Sequence, residues 1–152
     1  MKQRILTMLL LASLIACKKD DQTTNTTASM TAKVNGTAWI AENNSDLNIT
    51  KSGNGYYLYG ATKNEEEAIW IYFPKLEKGE VLLNDSGSGK YGVYENKSGN
   101  SYYSYPNGNN KLIITDVSNN TASGTFYFNP HRIASQDSVI ITEGVFKNIK
   151  VY

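Results

Sequence analysis

The chain from residue 30 onward reads as an all-β domain, an antiparallel β-sandwich or barrel of about 9–11 strands. Three observations predict this. Turn signals recur roughly every eight to twelve residues. The segments between them alternate apolar and polar residues, or are apolar throughout, as strands do. Helical periodicity is absent beyond an apolar run near the start.

The elements follow in order. Asn35-Gly36 separates Thr31–Val34 from Thr37–Ile40, and Asn-Gly supplies the positive φ angles that a two-residue hairpin needs. Ser52-Gly53-Asn54-Gly55 separates Leu47–Thr50 from Tyr56–Tyr59. Asn64-Glu65-Glu66 precedes Ala68–Phe73, and Pro74 ends that strand because it has no donor for the ladder. Further strands are predicted at Gly79–Leu83, Tyr91–Glu95, Tyr102–Tyr105, Lys111–Asp116, Gly124–Phe128 and Val139–Tyr152, the last with a bulge near Gly144. The stretches 84–89 and 106–110, rich in Asn, Gly and Ser, are loops.

Alternation assigns the faces. Ile69, Ile71 and Phe73 share one side of their strand, and Ala68, Trp70 and Tyr72 the other. Both sides are apolar, which predicts a central strand covered on both faces, with Trp70 buried, as is Trp39. Phe126 and Phe128 point one way, with Thr125 and Tyr127 opposite, and Leu112 and Ile114 oppose Ile113 and Thr115. Val145, Ile149 and Val151 are the expected core residues of the closing strand.

Composition narrows the function. Residues 30–152 are of ordinary size for one domain. Their eleven Lys and Arg against twelve Asp and Glu leave no basic patch, which argues against a nucleic-acid partner. Before them, Gln22–Ser29 has no large apolar residue and reads as a disordered tether.

The chain's only cysteine lies ahead of that tether. Lys2 and Arg4 precede an apolar run from Ile5 to Ala16, a pattern of secretory signals and too short to span a bilayer as a helix. Leu14-Ile15-Ala16-Cys17 resembles the lipobox of bacterial lipoproteins. That resemblance implies cleavage before Cys17 and acylation of its thiol. The division is then 1–16 signal peptide, 17–29 lipidated tether and 30–152 β-domain. Acylation also removes the liability of a lone thiol in an exported protein. Several chains on one cysteine suit stable anchoring, since a single chain holds only marginally. Lys19-Asp20-Asp21 resembles the surface-export signal of Bacteroidota lipoproteins, which implies display outside the outer membrane, with its periplasmic face as the alternative.

Three further segments carry a family resemblance: Val34-Asn35-Gly36-Thr37-Ala38-Trp39, Ser123-Gly124-Thr125-Phe126-Tyr127-Phe128, and Ile140-Ile141-Thr142-Glu143-Gly144-Val145-Phe146. Together they are similar to a family of small Bacteroidota outer-membrane lipoproteins with a single all-β domain of unknown function. The motifs are structural and imply no catalytic residue.

The tyrosines, eleven in all, are the strongest candidates for function. Exposed rings beside Asn and Ser suit sugar stacking, while the plainer reading is that Tyr packs well in strands. Tyr103 and Tyr105 share a strand face between two loops, with Asn107 and Asn109 beside them as hydrogen-bonding partners for a glycan. Asp137-Ser138-Val139 resembles a short O-glycosylation motif of exported Bacteroidota proteins, which implies modification at Ser138, while the plainer reading is a strand entry ahead of the apolar run Val139-Ile140-Ile141. Catalytic signals are weak. His131 stands near Ser135 and Asp137, but a triad needs orientation that spacing does not supply. Asp85–Gly89 has one carboxylate where a calcium loop needs several. One histidine and a lipidated cysteine make no zinc set, and no cofactor is expected. The expectation is a lipid-anchored envelope binding protein, attached to the outer membrane through acylated Cys17, with a glycan or an envelope protein as partner. The alternatives are an assembly subunit of an envelope complex and a hydrolase with an atypical site.

Overall fold

A computed structural model describes residues 27–42, 46–84, 87, 89–106, 109–135 and 137–152. The lipobox with Cys17, the Lys19-Asp20-Asp21 segment, Asn107 and most of the 85–89 loop lie outside the described residues.

Among the described residues, twelve strands form two antiparallel sheets. The first sheet has the order β2(Thr37–Ile40), β1(Ser29–Val34), β12(Ile141–Lys150), β10(Thr121–Phe128), β9(Lys111–Ser118), β6(Gly79–Leu82). The second has the order β11(Pro130–His131), β8(Ser101–Ser104), β7(Tyr91–Glu95), β5(Ala68–Phe73), β4(Gly55–Ala61), β3(Asn48–Ser52). They pack face to face as a sandwich and do not close into a barrel. The one strand not expected from sequence is β11, a two-residue pairing that follows Asn129. Among the described residues, the only helical element is a 3-10 turn at Lys63–Glu65.

The turns form where their residues permit. Asn35 and Gly36 have φ of 49° and 82°, as a two-residue hairpin requires. The Asn35 side chain also accepts a hydrogen bond from the Ile140 amide at 2.8 Å, clasping this turn to the entry of β12. Asn119 and Asn120, with φ of 50° and 61°, make the equivalent turn between β9 and β10.

The expected bulge is present. Thr31 opposes Val145 but Lys33 opposes Thr142, so β12 carries an extra residue at the left-handed Glu143. A second irregularity falls at Asn148, also left-handed, whose amide donates to Ser123 Oγ at 2.9 Å. This second bulge changes the phase of the strand. Phe146 and Ile149 therefore both point inward, and Val145 is only partly buried. The expectation of Val145 in the core rested on unbroken alternation and is corrected here; Ile149 is buried as expected, and Val151 packs at the core margin.

The segments that carried the family resemblance interlock. Gly124 opposes Phe146, and Gly144 opposes Phe126. A side chain at Gly124 would run into the Ile113 carbonyl and the Phe146 ring, and one at Gly144 into the Phe126 backbone and ring. Each strand thus gives a glycine to make room for the other's phenylalanine. Trp39 completes this end of the core at 2% exposure.

Candidate binding face

The two outer faces of the sandwich differ. That of the first sheet is stitched by ion pairs, including Lys33–Glu143 and Lys111–Glu80, each at 2.7 Å. That of the second sheet is aromatic. β5 is central, as its sequence suggests, but no further layer of described residues covers its outward side. Trp70 is therefore partly exposed rather than buried, which corrects the expectation of a strand covered on both faces.

Register builds the face in two rows. Tyr57 on β4, Tyr72 on β5 and Tyr91 on β7 stand opposite one another. The next row holds Tyr59, Trp70, Val93, Tyr103 and, through β11, His131. Across β4, β5, β7 and β8 the face spans roughly 14 Å, given a strand spacing of ~4.8 Å. Antiparallel sheets facing water usually alternate apolar-in and polar-out. Here Tyr57, Tyr59, Trp70, Tyr72, Tyr91 and Tyr103 dominate the outward side of β4, β5, β7 and β8.

The rings form a packed layer. Tyr57 and Tyr72 have centroids 4.7 Å apart, Tyr72 and Tyr91 5.6 Å, and Tyr59 and Trp70 6.2 Å. The hydroxyls of Tyr57 and Tyr91 meet at 3.2 Å from either side of β5. Tyr72 lies along the sheet between them, where Gly55 leaves room; a Cβ at Gly55 would sit 2.6 Å from the Tyr72 hydroxyl. Beneath the layer, Val93 is 1% exposed although it belongs to the outward side.

Electrostatics follows from this packing. Burial raises the Tyr91 hydroxyl's pKa well above its ordinary value, and the Tyr57 hydrogen bond adds to the shift. Burial also raises Tyr59, helped by the negative charges of Glu65, Asp46 and Glu95. The Tyr91 and Tyr59 hydroxyls therefore stay protonated at neutral pH. Trp70 Nε1 is covered and has no partner among the described residues, so the exposed part of its side chain is all carbon. Tyr57, Tyr59 and Trp70 line an open depression of about 240 Å³.

The residues singled out from sequence divide. Tyr103 stands at the margin of this face and is partly buried. Tyr105 lies past the end of β8, is 52% exposed, and meets the edge of the His131 ring at a centroid distance of 6.3 Å. Its carbonyl accepts a hydrogen bond from buried Asn110 at 2.8 Å, and Asn110 Oδ1 accepts one from the Asn129 amide at 2.9 Å, which fixes this corner. Asn109 is exposed. Tyr94 and Tyr102 turn inward and are buried; the Tyr94 hydroxyl donates to Glu67 at 2.9 Å. Ser138 is exposed and its backbone bridges His131. Near it, the Ser135 hydroxyl donates to Asp137 at 2.8 Å, while the His131 ring faces Tyr105. These groups do not form a Ser-His-Asp relay. Sequence reasoning missed Tyr57, Tyr59, Trp70, Tyr72 and Tyr91 as a single surface. The signal was their shared parity within each strand, but not which strands are neighbours.

Fold and face together define a small β-sandwich with one aromatic outer sheet. The chain belongs to the DUF6252 family, a domain of unknown function, which matches residues 26–150. No curated protein and no solved structure matches the chain.

Proposed function

We propose that this protein is a lipid-anchored envelope protein of a Bacteroidota-type bacterium that binds glycans on the outward face of its second sheet. The observation that carries the binding reading is the contiguous layer of Tyr57, Tyr59, Trp70, Tyr72, Tyr91 and Tyr103, partly exposed and uncovered among the described residues. Exposed apolar patches of this kind mark interaction sites. The rings present carbon surface for the apolar side of a sugar, and the tyrosine hydroxyls offer polar partners around it. Each stacked ring contributes about 1 kcal/mol by analogy with aromatic pairs, so single-site affinity is modest and many surface copies raise it. Tyr105 and Asn109 extend the surface toward β11.

Anchoring rests on the lipobox, and display rests on Lys19-Asp20-Asp21. Cys17→Ser removes the thiol that takes the diacylglycerol, so the protein should move from the membrane to the soluble fraction. Retention of that variant in the membrane would refute the lipid anchor. Exposed Ser138 is the proposed O-glycosylation site, and a native digest in which its peptide is only ever unmodified would remove that assignment. The binding reading is tested by a glycan array probed with the soluble Cys17→Ser protein. Reproducible binding to a subset of oligosaccharides is expected, and an array without hits would overturn the reading.

A further inference from the structure

Beyond the aromatic layer, the outward face changes character at one end. Two residues along β7 from Val93, Glu95 stands opposite Ala68 on the same side of the sheet as Trp70. The turn joining β4 to β5 brings Glu65, Glu66 and Glu67 to this end, held by the Thr62 amide bonding to the Glu67 carbonyl at 2.8 Å. Asp46 lies two residues before Asn48, the cross-strand neighbour of Tyr59. Glu66 pairs with Lys97 at 3.1 Å, and Glu67 accepts the Tyr94 hydroxyl. Lys63 lies in the same turn. Glu65 and Glu95 are in no described ion pair. Glu95 follows by two residues Val93, the cross-strand neighbour of Trp70, and both acids add to the burial that raises the Tyr59 hydroxyl.

An aromatic depression beside carboxylates combines two attractions for a cation. Ring faces draw positive charge through their quadrupoles, and the acids add Coulomb attraction that salt screens. The same acids repel uronic and sialic residues.

Resting on the glycan-binding reading, we infer that the Tyr57–Tyr59–Trp70 depression selects sugars carrying a free, protonated amine, which it directs toward Glu65 and Glu95. Neutral sugars in the same chain would stack on the Tyr72 and Tyr91 side.

The test uses two oligosaccharides with one backbone, glucosamine oligomers and their fully N-acetylated counterparts, titrated calorimetrically into the Cys17→Ser protein. The pH is one at which the amine is protonated. The amine form should bind about tenfold more tightly at low salt. Glu65→Gln with Glu95→Gln should cut that preference severalfold, to the remainder that the ring faces supply, while the N-acetylated form binds as before. Equal affinity of the unsubstituted face for the two forms, or a preference that both glutamines leave undiminished, overturns the amine assignment and leaves the aromatic site standing. Binding of neither oligomer, alongside array hits that depend on Trp70, also overturns this inference alone. The absence of any array hit overturns the underlying reading as well.

Discussion

Phe126→Ala should lower the stability of the domain by about 3–5 kcal/mol, a large share of the ~5–15 kcal/mol typical of a single domain. Phe126 is 1% exposed on β10, between β9 and β12. Its ring fills the space that Gly144 leaves on the neighbouring strand, and Phe128 packs beside it at a centroid distance of 6.2 Å. Truncation removes apolar burial and leaves a cavity walled by backbone that cannot collapse, since that backbone belongs to the two sheet neighbours. Denaturant unfolding followed by tryptophan fluorescence measures the loss, and a change below about 1 kcal/mol would contradict the interlock. The reciprocal substitution, Gly144→Val, overpacks the same contact and should also destabilise, by at least the ~1–3 kcal/mol usual for overfilled cores.

The second large effect is on binding. Tyr59→Ala with Trp70→Ala should abolish measurable affinity for an array-identified glycan, a loss of tenfold or more, while the protein stays folded. The two rings are partly exposed and sit outside the inter-sheet core, so their removal costs less than burial would suggest. The losses are an aromatic pair of about 0.5–1.5 kcal/mol and the cover over Val93. Phe126→Ala serves as the contrast, since it weakens the fold without touching the face. A double variant that keeps a native near-ultraviolet spectrum and full affinity would remove these rings from the site.

Much of the fold was legible because short-range chemistry fixes it. Asn35-Gly36 can only turn, Pro74 can only end a strand, and Gly144 marks the bulge it sits beside. Val145 misled because a left-handed Asn148 shifts the phase of β12, and asparagine in a strand does not announce that conformation. The site was less legible because it is a matter of neighbourhood. Tyr57 and Tyr91 are 34 positions apart yet share a hydrogen bond, because β5 lies between their strands. Alternation placed Trp70 and Tyr72 together on one side of β5. It did not disclose that no described residues form a layer outward of the second sheet to cover them, so the aromatic run reads in sequence as doubly buried core. Tyr103 and Tyr105 drew notice through their loops, which are visible in sequence, and prove to be the margin of a surface centred on other strands.

The central claim, that the outward face of the second sheet is the recognition surface, is tested most directly by mapping amide chemical-shift changes as an array-identified oligosaccharide is titrated into the isotope-labelled Cys17→Ser protein. The largest shifts should fall on Tyr57, Tyr59, Trp70, Tyr72 and Tyr91, weaker ones on Tyr103, and none on the outward residues of β1, β9 and β10. Shifts that centre on the first sheet instead, with the Tyr57–Tyr72–Tyr91 row unmoved, would contradict the account.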